Sequence, residues 1–125
     1  MILVDSSVWI DHLRANDASL TDLLNRGQVL SHPFVIGELA LGSLRQRATI
    51  ISALQDLPKA TVADVGEVMA FIERQSLHGR GIGYIDAHLL ASARLANASL
   101  WTRDRRLHEM AAELGLASGL PSTKN

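Results

Sequence analysis

Cysteine is absent from this chain of 125 residues, which removes disulfides, thiolate nucleophiles and cysteine-based zinc or iron–sulfur sites from consideration. That absence fits a cytoplasmic protein. An excess of either charge is missing too. Twelve Lys and Arg against 13 Asp and Glu leave a formal net charge of −1, so any attraction to phosphates has to come from a local patch or a bound metal. There is no long apolar run. No basic segment leads into one at the N-terminus, and Asp5 interrupts residues 1–4, which argues against a secretory signal. The most apolar later stretch, residues 87–101, contains His88, Arg94 and Asn97 and cannot span a membrane. Low-complexity segments and internal repeats are lacking. The histidines His12, His32, His78, His88 and His108 have no paired metal-ligand spacing and read as surface or packing residues. The glycine-rich loop at 79–83 follows no strand and carries no P-loop lysine, so it reads as a hinge or helix entry.

What is present is enough for one core. At 47% hydrophobic and 20% charged residues, the chain reads as a single domain over 1–125 with a polar tail at about 121–125, and a chain of this size buries about two-thirds of its unfolded surface. Apolar triplets and helical periodicity alternate along it. Strands are expected at 2–4, 28–31 and 99–102, with weaker ones at 61–63 and near the C-terminus. Helices are expected after Ser6 or Ser7, from Asp17 or Ser19 to Gly27, from Pro33 to Gly42, around Ile50 and Leu54, from Asp64 with its capping-box Glu67, over 84–97, and after Asp104. Strands separated by helices imply an α/β fold with a largely parallel sheet covered on both faces.

Four carboxylates stand out in this pattern. Asp5 and Asp104 end apolar strands, where open parallel sheets place their working sites. Glu38, with Phe34, Val35 and Leu41 around it, and Asp86, with Leu89, Leu90 and Ala93, are expected on the core-facing sides of their helices. A buried carboxylate costs several kcal/mol unless it is paired or metal-bound, and no matching set of buried cations is in view. Two such charges about 4 Å apart repel by roughly 4 kcal/mol at an effective dielectric near 20. A shared hard cation, Mg²⁺ or Mn²⁺, reverses that sign. Taken one at a time, Asp5 and Asp104 are equally well read as helix N-caps.

The segments Val4-Asp5-Ser6-Ser7-Val8-Trp9-Ile10, Glu38-Leu39, Tyr84-Ile85-Asp86-Ala87-His88-Leu89-Leu90-Ala91 and Trp101-Thr102-Arg103-Asp104 resemble, in that order, the acidic motifs of PIN-domain nucleases. The closest resemblance is to VapC-type toxins of bacterial toxin–antitoxin pairs, and it covers nearly the whole chain. Ser7 stands where many PIN domains have Asn. The resemblance implies a PIN-like α/β/α sandwich with a central sheet of four to five strands. It also implies a Mg²⁺- or Mn²⁺-dependent endoribonuclease acting on RNA, a cognate VapB-like antitoxin and a homodimer. On that reading Asp5, Asp86 and Asp104 hold the metal directly or through water, and Glu38 helps hold it or orients and deprotonates the attacking water. Ser7 and Thr102 support the site, and Arg103 and Arg105 are candidates for RNA contact. Trp9, Trp101, Met69 and Met110 are expected to fill the core or an interface. Two other functions compete. One is a phosphohydrolase with Asp5 as covalent nucleophile, against which stands Ser7 in place of a second acid. The other is a noncatalytic module whose acidic pocket binds a partner's basic segment.

Overall fold

Leu3 and Val4 are fully buried, as a parallel strand covered by helices on both faces requires, and they belong to the central strand β1 (Ile2–Val4). In the computed structural model, which describes residues 1–123, β1 lies between β2 (Val29–Leu30) and β3 (Ser99–Trp101), parallel to both. The register pairs Ile2 with Val29 and Ser99, and Leu3 with Leu30 and Leu100. Positions 124 and 125 of the expected polar tail lie outside the described residues.

The sheet is narrower than the four to five strands expected. Single parallel bridges, Ser31 with Lys59 and Leu100 with Ala117, mark the two outer positions. At the first, Ser31 exchanges backbone hydrogen bonds with Pro58 and Ala60. The backbone N–H of Ala63 then donates to the Ser92 hydroxyl at 3.2 Å, and Asp64 already caps the next helix. The expected strand at 61–63 therefore has no room to form. At the other edge Leu100 bonds Leu116 and Ser118, after which Gly119 turns the chain away with φ +81°.

Seven helices surround the sheet among the described residues: α1 (Ser6–Ala15), α2 (Ala18–Asn25), α3 (Pro33–Leu41), α4 (Arg47–Asp56), α5 (Val65–Gln75), α6 (Tyr84–Leu95) and α7 (Arg105–Glu113). Local chemistry accounts for their ends. The Asp17 side chain caps α2, Asp104 caps α7, and Asp64 with Glu67 makes a full capping box on α5. His32 is an unforeseen cap: its Nδ1 accepts the Phe34 backbone N–H at 3.0 Å, just before the Pro33 that opens α3.

Helix α6 organises the core. Residues 87–93 are all buried, and the small side chains among them, Ala87, Ala91, Ser92 and Ala93, let the helix approach β1 and β3 closely. Burial of Leu89 and Leu90, both inaccessible to solvent, contributes about 1.5–3 kcal/mol each. Trp9, Trp101 and Met110 are core residues, as expected, whereas Met69 is exposed on α5. No helix among the described residues is long and apolar enough to cross a membrane.

Candidate metal and catalytic centre

The carboxyl end of β1 delivers Asp5, and the carboxyl end of the neighbouring β3 delivers Thr102 and Asp104. Asp5 is 6% exposed. Although it occupies the N-cap position of α1, its side chain makes no capping hydrogen bond. It is held instead by two hydroxyls that both donate to Oδ2, Ser7 at 2.7 Å and Thr102 at 2.8 Å. Each hydroxyl in turn accepts a backbone N–H from the next loop: Arg103 to Ser7 Oγ at 2.9 Å, and Asp104 to Thr102 Oγ1 at 3.1 Å. One oxygen of Asp5 is thus fixed by a closed set of bonds, and Oδ1 stays outside that set. A side chain locked this way is preorganised to hold something.

The other acids stand around it. Asp86, half-buried in the first turn of α6, accepts the Gly83 backbone N–H on Oδ2 at 3.1 Å. Asp104 accepts the Leu107 N–H on Oδ1 at 2.9 Å and is exposed. Three of the four carboxylates therefore sit at the N-termini of α1, α6 and α7, where helix dipoles favour negative charge by about 0.3–1 kcal/mol each. Glu38 differs from expectation. It lies at the exposed rim of α3, because the helix buries Val35, Ile36 and Leu39 while Leu41, taken as part of the apolar face, is 91% exposed.

Electrostatics tie the four together. Burial pushes the Asp86 carboxyl above its ordinary value; the Gly83 N–H opposes this, and the charges of Asp5 and Asp104 add to it. Glu38 is also raised, first by partial loss of water, then by the charges of Asp5 and Asp86, with the Ser6 hydroxyl opposing. Since Glu38 is a rim residue, the two neighbouring carboxylates are the informative causes. The negative side chains converge on one end of the sheet, and their repulsion is what a cation would relieve.

The donor set fits one kind of ion better than another. Among the described residues, no group of three or more His, Asp or Glu side chains is arranged to hold a metal by itself. A hydrated hard ion of the Mg²⁺ type keeps several waters and takes one or two carboxylates directly, a smaller demand than a fully protein-ligated cage makes. Asp5, Glu38, Asp86 and Asp104 are the carboxylates that would be available to such an ion. Beside Glu38 opens a groove of about 490 Å³ lined by Ile10, Leu13, Leu39 and Ile50, with Arg14 and Arg45 as its cations.

Two expectations for the β3–α7 turn part company. Arg105 projects into solvent and approaches Glu109 only at 4.0 Å, so it is available to phosphate. Arg103 is not. Its guanidinium is 11% exposed and bonded to Asp11 at 3.0 Å and Asp17 at 2.6 Å, which withdraws it from the list of RNA contacts. Asp11 as its partner and Ser6 as the partner of Glu38 were not foreseen. Ser6 had a signal, since it lies between two residues assigned to the site. Arg103 and Asp11 are separated by 92 positions, and no local pattern links them.

Residues 2–113 match the protein-family profile described as PIN domain. Two curated proteins, each named Ribonuclease VapC32, are similar to this chain. They come from Mycobacterium tuberculosis strains CDC 1551 / Oshkosh and ATCC 25618 / H37Rv, and each is 50% identical over 118 residues, spanning 94% of this chain and 95% of the relative.

Proposed function

Because the chain belongs to the PIN-domain family, we propose that it is an endoribonuclease toxin of the VapC type, a single PIN-like domain over residues 1–125 that hydrolyses RNA phosphodiester bonds. The observation that carries this reading is the closed bonding of Asp5 Oδ2 by Ser7 and Thr102, which fixes a carboxylate whose charge is felt by Glu38 and Asp86, Asp86 in turn feeling Asp104.

A bound Mg²⁺ or Mn²⁺ would supply an acidified water, a polarised phosphate and a counter-charge for the leaving oxygen. Asp5, Asp86 and Asp104 would hold that ion, directly or through water, with Glu38 beside them. Glu38, whose carboxylate is influenced by Asp5 and Asp86, would help hold the ion or orient the attacking water and accept its proton. Arg105, exposed on α7, and Arg14 and Arg45, which line the groove beside Glu38, would meet RNA phosphates. A protein with a formal net charge of −1 attracts RNA only through such a local patch.

The family supplies the biological frame. The toxin acts in the cytoplasm as a homodimer. A VapB-like antitoxin silences it by bringing an arginine-bearing tail to the carboxylates Asp5, Glu38, Asp86 and Asp104.

Mapping RNA ends tests the chemistry. The purified chain in Mg²⁺ or Mn²⁺ is expected to leave 5′-phosphate and 3′-hydroxyl termini, with Asp5→Asn and EDTA each abolishing cleavage. Cyclic phosphate ends formed in EDTA would overturn the water mechanism. Bound metal without cleavage of any RNA would reduce the protein to a binding module. Growth arrest on expression, relieved by co-expressing the antitoxin, tests the biological role.

A further inference from the structure

Arg103 lies between two residues of the proposed centre, Thr102 and Asp104, yet its side chain points away from both. The two ends of its guanidinium are bonded to different helices. Nη1 donates to Asp11 in α1 at 3.0 Å, and Nη2 donates to Asp17, the N-cap of α2, at 2.6 Å. The three side chains are 11%, 19% and 21% exposed, so these are partly desolvated, charge-assisted bonds, stronger than surface ion pairs. Nε is buried without a hydrogen-bond partner among the described residues. The fork is therefore held by its two tips alone, and the guanidinium carbon lies 5.6 Å from the centre of the Trp101 ring. From the same residue, the backbone N–H donates to Ser7 Oγ.

We infer that the Asp11–Arg103–Asp17 clamp is a positioning device for the catalytic centre: it fixes the β3–α7 turn against α1 and so sets where Thr102 and Asp104 stand relative to Asp5. This rests on the nuclease reading above. The physical reason is leverage. The turn from 102 to 104 has no regular structure. Among the described residues its backbone N–H groups are tied to the site through two hydroxyls, Ser7 and Thr102, whose bonds are sensitive to displacements of a few tenths of an ångström. A planar cation spanning two helices holds the turn in place and defines its orientation. A lysine could not replace it, since one ammonium does not present a bidentate fork. Arg103 touches no reacting atom in this scheme; it acts through Ser7, Thr102 and Asp104.

Asp17→Asn is the sharpest probe. Asparagine caps a helix as well as aspartate, so the bond from Leu20 N–H to the residue-17 Oδ1 survives, while the ionic bond to Arg103 is lost. Free Mn²⁺ measured by electron paramagnetic resonance gives metal affinity without reference to turnover. It is to be read for wild type, Asp17→Asn, Arg103→Met and the control Arg26→Met, which removes only the exposed pair with Asp22. RNA cleavage kcat and KM are read on the same samples, all well below the lowest melting temperature. The clamp predicts Mn²⁺ binding weakened roughly 10-fold or more in Asp17→Asn and Arg103→Met, with kcat lowered, KM for RNA unchanged and the control like wild type. Variants that melt earlier yet bind Mn²⁺ and cleave like wild type would show a purely structural ion pair and overturn the inference. Should Arg103→Met fail to fold, Asp17→Asn decides alone. A wild-type protein that neither binds Mn²⁺ nor cleaves RNA would remove the nuclease reading itself, a result distinct from failure of the clamp.

Discussion

Thr102 Oγ1 and Asp5 Oδ2 are 2.8 Å apart although 97 residues separate them in the chain. The hydroxyl donates to the carboxylate and accepts the Asp104 N–H, so a single oxygen couples both strand-end acids. Thr102→Val keeps the shape of this fully buried side chain and deletes both bonds. Stability is expected to fall by about 1–3 kcal/mol and RNA cleavage by roughly 10- to 100-fold, with Thr102→Ser restoring both. Urea unfolding and single-turnover cleavage measure the two effects; a valine variant equal to wild type in both would dismiss the hydroxyl.

Asp86→Asn separates charge from structure. The asparagine retains an acceptor for the Gly83 N–H and removes a negative charge that burial, Asp5 and Asp104 disfavour. A carboxyl whose folded pKa is raised loses stability as pH climbs from its unfolded value to its folded one and carries the full cost above both, so its neutral replacement should melt no lower than wild type at neutral pH in EDTA. Cleavage is expected to drop on the order of 100-fold or more. A lower melting temperature in EDTA would mean that the carboxylate is satisfied without metal.

His32 makes the fold sensitive to acid. The residue is fully buried; its Nδ1 accepts from Phe34, so Nε2 holds the proton against Ser92 Oγ at 3.0 Å. Burial, followed by the neighbouring His88, lowers its pKa from 6.5 to about 4. The unfolded chain takes up a proton near 6.5 while the folded chain refuses it until about 4. Stability is therefore complete above the unfolded value and is lost as pH falls through this window, by roughly 3 kcal/mol in all. Urea titrations at about pH 7 and about pH 5 should show the slope in wild type and a flatter one in His32→Asn, whose side chain still caps α3. Equal slopes would show that other groups control the acid response.

Gly81 is required by its backbone. It has φ +81°, and a Cβ there would lie 2.6 Å from Arg106 Nη1. The arginine tip can swing aside, but the left-handed conformation costs an alanine about 1–2 kcal/mol. Gly42, at φ −83° with only an ordinary contact to the Leu39 carbonyl, should tolerate alanine without loss. Thermal melts of the two variants should therefore diverge; Gly81→Ala melting with wild type would leave the loop unconstrained.

Much of the site was legible because its acids are tied to local signals. Asp5 directly follows an apolar strand, Asp104 comes three residues after the apolar pair Leu100-Trp101, and Asp86 falls in the first turn of an alanine-rich helix, so each position is marked by near neighbours in the chain. Glu38 was misjudged in its burial because α3 carries apolar residues around most of its circumference, and periodicity cannot rank faces that are all apolar. The sheet was overestimated for a related reason: residues 61–63 and the apolar segment near the C-terminus have the composition of edge strands, but the outer positions are each marked by a single bridge, at Lys59 and Ala117, before caps and turns divert the chain.

Local propensity and alternation by themselves determined the order of elements and the α/β class, and singled out four candidate carboxylates, since these depend on residues within one helical turn or strand of each other. Tertiary structure alone decided that Ser7 and Thr102 both grip one oxygen of Asp5, that Arg103 turns to Asp11 and Asp17 rather than to solvent, and that His32 meets Ser92 in the core. Such bonds join groups up to 97 positions apart. Their partners are selected by which surfaces remain adjacent after the core closes, and one-dimensional spacing does not carry that information.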